Sequence, residues 1–139
     1  MLFPKKVKFR KWQTGRRNPK RDRVEDRGTK LSFGSYGLKA EAPARVKSNQ
    51  LEAARKTIAH SLKKAGKVWI RVFPDRPFTA KPAEVKLGKG KGEPQGYVAQ
   101  VWAGRILFEL DGIDEATAKE SLRKAGAKLP VKTRIVTRV

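Results

Sequence analysis

The stretch KKAGKVWIRV, residues 63–72, decides the fold because it joins a helical pattern to a strand pattern. Upstream of it, apolar side chains recur at three- and four-residue spacing, as on one face of a helix: Leu51, Ala54, Ile58, Leu62 and Ala65. Downstream, apolar side chains alternate with the others, as in a strand: Val68, Ile70 and Val72. The pattern predicts a helix that is capped by Ser48 or Asn49, ends at Gly66 and leads directly into a strand.

A similar stretch, RKAGAKLPVKTRIV (residues 123–136), occurs near the C-terminus. Both stretches have a basic helix end, then Ala-Gly, then a strand that carries cations. Asp114 is the predicted cap of this second helix, in which Ile113, Ala116 and Leu122 are apolar, and Gly126 is its predicted end. Shared helix-end chemistry alone can explain so short a likeness. The order of elements nevertheless favours an α+β fold, a single small domain with an antiparallel-rich sheet and two helices packed on one face.

Two further predictions concern the segments between these stretches. Residues 74–87 contain prolines at 74, 77 and 82, so they are predicted to form an extended connection that is not a central strand. The runs YVAQVW (97–102) and RILFEL (105–110) are both strand-like and are separated by Ala103-Gly104. This arrangement predicts a β-hairpin with a tight turn.

The charge of the chain predicts a polyanionic partner. Its 139 residues include 34 Lys and Arg against 13 Asp and Glu, a formal net charge of +21. Residues 1–30 contain twelve of the cations and three of the acids, so 12 − 3 places +9 there. This segment has few large apolar groups and is predicted to be a basic RNA-binding arm that orders on contact, while residues 31–139 form the α+β domain. A solvated, disordered tail is the plainer interpretation.

Composition also argues against catalysis, cofactors and membrane insertion. The chain has no cysteine and one histidine, His60, which excludes disulfides and thiolate metal sites and leaves little for a general base. Asp111, Asp114 and Glu115 are close in sequence, but helix capping is the ordinary role for Asp114. No apolar run approaches the roughly 20 residues that span a bilayer, and no secretory signal is evident. We therefore expect a cytosolic protein that is not an enzyme.

The loop KLGKGKG, residues 86–92, combines flexibility with positive charge. Its glycines allow the backbone to approach a crowded surface, and its lysines can face phosphates. The spacing does not match a phosphate-cradling P-loop. A flexible connector whose lysines only keep the chain soluble is the alternative.

Several motifs occur in one order along nearly the whole chain: MLFPKKVKFRKWQTGR (1–16), LSFGSYGLKA (31–40), QLEAARKTI (50–58), GKVWIRVFPDRP (66–77), KPAEVKLGKGKG (81–92), GRILFELDGI (104–113) and AKLPVKTRIV (127–136). In these motifs the sequence resembles the bacterial large-subunit ribosomal proteins of the universal L-sixteen family. The resemblance implies an α+β fold with a basic N-terminal extension. It also implies binding to 23S rRNA near the peptidyl transferase centre, help in positioning A-site tRNA, and entry late in large-subunit assembly.

The resemblance and the charge pattern together assign candidate contacts. The expected rRNA-binding residues are Lys5, Lys6, Lys8, Arg10, Lys11, Trp12, Arg16, Arg17, Arg55, Lys56, Lys63 and Arg71. The expected tRNA-facing loop residues are Lys81, Lys86, Lys89 and Lys91. Neighbouring large-subunit components are the other expected partners, with no cofactor, membrane contact or homo-oligomer. The expected location is a cytoplasmic ribosome of bacterial type, and an organellar ribosome is the open alternative.

One rival from another functional class stays open. A generic nucleic-acid-binding protein that acts outside the ribosome would have the same composition. Only the motifs WIRVFPD (69–75) and KPAEVKLGKGKG (81–92) argue against it.

Overall fold

The structure, a computed structural model, describes residues 2–12, 24–63, 65–80 and 93–138. The secondary-structure elements in these ranges are, in chain order, β1 Tyr36–Ala40, β2 Ala44–Lys47, α1 Ser48–Leu62, β3 Lys67–Ile70, β4 Arg76–Ala80, β5 Glu93–Val101, β6 Ile106–Asp111, α2 Glu115–Gly126 and β7 Thr133–Thr137. The predicted α+β class is confirmed.

The strands form two antiparallel sheets, where the sequence predicted one. A four-stranded sheet has the order β3-β6-β1-β7, and a three-stranded sheet has the order β2-β5-β4. Helix α1 contacts β3, helix α2 contacts β1 and β7, and the two helices pack against each other. The core lies mainly between the helices and the four-stranded sheet and includes Leu38, Leu51, Ile58, Phe108, Leu110 and Leu122.

The predicted hairpin between residues 97–102 and 105–110 is wrong, because β5 and β6 belong to different sheets. The turn itself forms, with the Arg105 N–H donating to the Trp102 carbonyl at 3.2 Å and Gly104 at φ +101°. Residues 106–110 of β6 are all buried, as expected for a strand that is covered on both faces. Within the four-stranded sheet β6 lies between β3 and β1, so each of its edges pairs with a strand.

The described part of the proline-rich segment, residues 74–80, contains an edge strand where an extended connection was predicted. Strand β4 contains Pro77, which lies opposite Tyr97 of β5, and no other strand pairs with β4 among the described residues. An edge position suits proline because the missing N–H can face away from the sheet. Over residues 74–80, the prediction that this segment is not a central strand is confirmed, and residues 81–87 lie outside the described residues.

The predicted caps of α1 are wrong at both ends. Lys47 is the N-cap, and its backbone N–H donates to the Gln50 side chain at 2.8 Å. At the other end Lys63, not Gly66, has a positive φ, 55°. Gly66 is needed for space, since a Cβ there would lie 2.9 Å from the Asp111 carbonyl oxygen. Glycine here allows two backbone segments to approach closely. In a sequence, a glycine with this role looks the same as a glycine that ends a helix.

The start and end of α2 were predicted correctly. The Asp114 carboxylate accepts a hydrogen bond from the Thr117 N–H at 3.0 Å, and hydrogen bonds from Thr117 lower the pKa of Asp114. The helix ends at Gly126. Ala116, predicted to be on the apolar face, is exposed, and the buried face is instead formed by Ala118, Ser121, Leu122 and Ala125.

Candidate nucleic-acid interface

The first part of the N-terminal arm is attached to the body beside the start of α1. The Ser48 hydroxyl donates to the Leu2 carbonyl at 2.7 Å. The ring of Phe3 packs edge-on against Tyr97, with 6.0 Å between ring centroids. The five predicted rRNA-binding cations that follow, Lys5, Lys6, Lys8, Arg10 and Lys11, are all exposed. Residues 2–12 contain no acidic side chain, so the segment presents a stretch of positive charge.

The arm contacts the three-stranded sheet at Trp12. The guanidinium of Arg76, in β4, lies 5.5 Å from the centroid of the Trp12 ring, a cation–π geometry. Trp12 and Arg76 also line a cavity of about 320 Å³ with Phe73 and Arg105. Desolvation, then the nearby charge of Arg45, lowers the pKa of Arg76. Neither Arg76 nor Arg105 belongs to a run of cations, so the charge pattern of the sequence did not indicate them.

Residues 24–30 were predicted to belong to the arm, yet they are hydrogen-bonded to the body. The Glu25 N–H donates to the Ala103 carbonyl at 2.9 Å, and the Ile106 N–H donates to the Gly28 carbonyl at 2.7 Å. Gly28 has φ +64°, and a Cβ there would lie 2.8 Å from the Arg105 guanidinium. The division of the chain at residue 30 stays a prediction, but this part of it contributes to packing.

Arg71 lies in an ion pair inside the protein. Its guanidinium binds Oε2 of Glu109, whose side chain is fully buried, and it lies 5.1 Å from the Phe33 ring centroid. Phe33 in turn stacks on Trp69, with centroids 6.0 Å apart. Arg71 is 17% exposed, so most of its donors face protein. Its contact with RNA stays a prediction, and the structure gives this side chain a role in stability as well.

Glu109 is surrounded by donors on the sheet face that lies away from the helices. Its Oε1 accepts from three consecutive backbone N–H groups, those of Ser32 at 2.9 Å, Phe33 at 2.9 Å and Gly34 at 3.1 Å. Burial by itself raises the pKa of Glu109, but the hydrogen bonds from Gly34, Phe33, Arg71 and Ser32 together outweigh burial and lower it. Glu109 is therefore ionised at neutral pH and fixes residues 32–34 to the sheet.

This lowered pKa predicts a stability loss in acid. Because the pKa of Glu109 in the folded state lies below the unfolded value of 4.5, its contribution is full above about pH 5 and is lost as pH falls through the folded-state pKa. Urea unfolding of the wild type and of Glu109→Gln across this range tests the point. The stability difference between them should be constant near neutral pH and should shrink in acid. A difference independent of pH would contradict the assignment.

The predicted cations of α1 differ in their surroundings. Arg55 binds Glu52 through two hydrogen bonds, of 2.5 and 3.2 Å, and this pair raises the pKa of Arg55. Lys56 is exposed and faces a groove between α1 and α2. Lys63 is exposed at the end of the helix. Their contacts with rRNA stay predictions.

Six predicted contact residues lie outside the described residues: Arg16, Arg17, Lys81, Lys86, Lys89 and Lys91. The same holds for the whole KLGKGKG loop. The described chain stops at Ala80 and resumes at Glu93, and these two residues are paired at the ends of β4 and β5. The loop is therefore a connection between two paired strands.

The groove between the helices is lined by several residues that sequence analysis did not nominate. With Lys56 it includes His60, Arg123, Lys124 and Lys128. A signal was present for α1, because residues 56 and 60 are four apart and share a helix face, whereas Lys128 lies beyond the end of α2. The sequence does not say that the two helices place these faces together.

No group of three or more His, Cys, Asp or Glu side chains suited to a metal ion occurs among the described residues. A membrane-spanning helix is not found in residues 2–12, 24–63, 65–80 or 93–138.

Comparison with known proteins gives matches along the full chain. The family model described as ribosomal protein L16p/L10e matches residues 4–136. A large ribosomal subunit protein uL16 from Rhodopseudomonas palustris (strain HaA2) is 52% identical over 139 residues, which cover 100% of this chain and 98% of the relative. The protein of the same name from Caulobacter vibrioides (strain NA1000 / CB15N) is also 52% identical over 139 residues, covering 100% of this chain and 94% of that relative.

Proposed function

The chain belongs to the ribosomal protein L16p/L10e family and is a structural constituent of the large ribosomal subunit, and we propose that it binds 23S rRNA near the peptidyl transferase centre there. Its partners are rRNA and other ribosomal components, in the ribosome of the bacterial cytoplasm. The proposal extends to two finer roles. The chain helps to position A-site tRNA, and it joins the subunit late in assembly.

The observation that carries the proposal is the cationic arm at residues 5–11 and the way it is attached. Hydrogen bonding at Leu2 and the ring of Trp12 over Arg76 hold its two ends against the body, while its cations face outward. A-form RNA is recognised largely through its backbone and shape, for which exposed lysine and arginine are the suitable side chains. An arm held in this way can reach into a fold of RNA that the body itself does not enter.

Sedimentation with large-subunit particles tests the ribosomal role against the generic one. Particles that lack this protein are mixed with the purified chain, washed at high salt and pelleted. A ribosomal constituent should remain bound at about one copy per particle, because shape and many contacts add to charge. A binder that uses charge alone should be released by the wash. Release of the chain would overturn the proposal.

The A-site role predicts an effect of the KLGKGKG loop. Replacing Lys89 and Lys91 together with alanine should weaken A-site tRNA binding and lower its salt slope by about 2 units, one for each lysine that no longer binds a phosphate. Entry into the subunit should be unchanged, since the arm supports it. Filter binding of tRNA to variant ribosomes at several salt concentrations measures both quantities.

A matched control removes two cations from the body instead, Lys67 and Lys132, both exposed. This double alanine variant carries the same net charge as the loop variant. If both variants weaken tRNA binding equally, or if neither does, the loop is only a solubilising connector.

A further inference from the structure

Strand β3 is an edge of the four-stranded sheet, and one side of its backbone has no partner. Directly after β3, the Arg71 N–H donates to the Leu107 carbonyl at 2.9 Å, in continuation of the β3–β6 register. Hydrogen-bonded pairs alternate along an antiparallel ladder. The backbone groups of Trp69 therefore point to β6, and those of Val68 and Ile70 point away from the sheet. Within the described part of the chain, no backbone group pairs with these outward groups.

The other sheet edges carry residues that discourage strand pairing. Natural proteins protect edge strands with charged side chains, proline or bulges, because an open edge can pair with another chain. Such residues occur in each of the other end strands: Arg45 and Lys47 in β2, Pro77 in β4, and Arg134 in β7. In β3 the single charged residue, Lys67, comes first, and Val68, Trp69 and Ile70 follow it without a bulge. Strand β3 is thus the edge best suited to pairing.

An aromatic patch lies beside this edge, on the sheet face away from the helices. Val68 and Ile70 pack against the core, so Trp69 between them faces the other side of the sheet. Phe33 stacks on Trp69 and is 56% exposed. Trp69 also lines a cavity of about 370 Å³ at the start of β3. Aromatic side chains are frequent anchors of protein interfaces, and aromatic pairs across neighbouring strands are favourable. An added strand would find both backbone partners and an anchor here.

The backbone of the edge identifies the kind of occupant. Val68 and Ile70 each present one donor, the N–H, and one acceptor, the C=O. An extended peptide satisfies both at the spacing of a strand. The phosphates of RNA can accept from the N–H groups but cannot donate to the C=O groups. A second copy of this chain is disfavoured, because each copy has a net charge of +21. A segment of another protein therefore fits this edge best.

We propose that the free edge of β3 binds an extended segment of another large-subunit protein by strand addition. The proposal rests on the assignment of the chain to the large subunit, whose other components are its partners. The segment places an apolar or aromatic side chain against Trp69, and its net charge is negative, which complements the charge of this chain. The contact is separate from the attachment of the arm at Trp12, which involves Arg76 in the other sheet.

Amide hydrogen exchange, resolved to single residues, tests whether another backbone covers the edge. In the free chain the Val68 and Ile70 amides should exchange about a hundredfold faster than the Trp69 amide, because only the Trp69 amide is in the ladder. In assembled large-subunit particles the two outward amides should slow to about the rate of Trp69. Exchange of Val68 and Ile70 at the free-chain rate in the particle would overturn the proposal.

A photoreactive benzoylphenylalanine in place of Phe33 identifies the class of the occupant. Phe33 is exposed and stacks on Trp69, so the substitution keeps an aromatic ring beside the edge. Irradiation of assembled particles should join this group to a peptide of one other large-subunit protein. Crosslinks only to rRNA, only to a second copy of the chain, or to nothing contradict the proposal.

The variants Val68→Pro and Val68→Ala isolate the backbone contact. Proline removes the outward N–H and leaves the β3–β6 hydrogen bonds in place, which is the arrangement in which an edge strand tolerates proline. Alanine shortens the side chain but retains the N–H, so it controls for lost packing. With the photoreactive group at position 33, the proline variant should lower the yield of the protein crosslink about tenfold, and the alanine variant should change it less than about twofold. Equal yields would show that no strand is added.

The outcomes separate this proposal from the ribosomal function. If the wild-type chain does not bind large-subunit particles, the ribosomal function fails first. If it enters them and the Val68 and Ile70 amides still exchange as in the free chain, only the strand addition fails. Urea unfolding verifies that both Val68 variants are folded. If the proline variant is not, exchange and crosslinking without substitution at Val68 decide the proposal.

Discussion

Replacement of Glu109 with alanine should lower the free energy of unfolding by about 3–5 kcal/mol, the usual effect of removing one partner of a buried ion pair. The substitution leaves the Arg71 guanidinium without its carboxylate and leaves the N–H groups of Ser32, Phe33 and Gly34 without an acceptor. A small domain has a total stability of about 5–15 kcal/mol, so this loss is a large fraction of it. Urea unfolding followed by circular dichroism measures the change.

Two control variants are needed. One separates the effect of the Glu109 charge from the effect of its side-chain volume, and the other separates the effect of a buried ion pair from that of an exposed one. Glu109→Gln retains the size of the side chain and removes its charge, so it should be destabilising but less so than alanine. Glu120→Ala breaks an ion pair of similar geometry with Arg123, but that pair is exposed on α2. Its unfolding midpoint should therefore stay close to that of the wild type. If Glu109→Ala and Glu120→Ala had equal effects, the buried pair would not be the connection that holds residues 32–34 to the sheet.

Replacement of Arg71, the partner of Glu109 in the ion pair, tests whether the two side chains act together. If Arg71 acts mainly through Glu109, the double variant Arg71→Ala, Glu109→Ala should be more stable than the sum of the two single effects implies. The reason is that removal of both partners leaves no buried charge unpaired. Simple addition of the two effects would indicate independent roles and would leave Arg71 available for RNA.

The sequence was most informative where one local rule determines the structure. Asp114 was predicted as a cap because a short acidic side chain before a helix has one common role, and the structure places it there. The alternation at Val68 and Ile70 likewise predicted a strand, which forms as β3, and both residues pack against the core. The resemblance to a ribosomal family also came from the sequence alone, and apart from residues 1–3 its motifs lie within the matched residues 4–136.

The sequence did not show which strands pair with each other. Alternation indicates that a segment is a strand but not which strand lies beside it, so β5 and β6 were joined although they belong to different sheets. The clue was that β6 is apolar at nearly every position. Glu109 interrupts that run. Its structural role depends on hydrogen bonds from Ser32 and Arg71, which are 77 and 38 residues away in sequence.

The candidate interface shows the same limit. Runs of cations such as Lys5, Lys6 and Lys8 are visible in sequence, and the structure leaves them exposed. Arg71 directly follows β3 and has apolar neighbours in sequence, and these neighbours give no sign of its ion pair with Glu109. The groove between the helices is the converse case, because Lys56 and Lys124 are distant in sequence and meet only through helix packing. Runs of cations in a sequence thus predict exposed cations. A surface that forms only when two elements pack together can be recognised only from the structure.

The arm should have the largest effect on function. In one variant, all five exposed cations of the segment are replaced with alanine: Lys5, Lys6, Lys8, Arg10 and Lys11. This change should lower the salt slope of binding to large-subunit particles by up to about 5 units and weaken binding about a thousandfold near physiological salt. Substitution is preferable to deletion of residues 1–30, because deletion would also remove the Gly28 carbonyl that accepts from Ile106. The contacts of Leu2 and Trp12 are retained as well.

The body of this variant should stay folded, since the core does not include residues 5–11. Its urea midpoint should match that of the wild type, whereas reconstitution should leave the variant in the supernatant. The control removes five exposed cations outside residues 1–30, Lys67, Lys119, Lys132, Arg134 and Arg138, and has the same net charge. If charge alone mattered, both variants would fail to the same extent. Because the arm is attached at Leu2 and Trp12, its cations can act at one place on the RNA, and only their removal should abolish entry into the subunit. Normal entry of the arm variant would show that the body alone recognises the subunit.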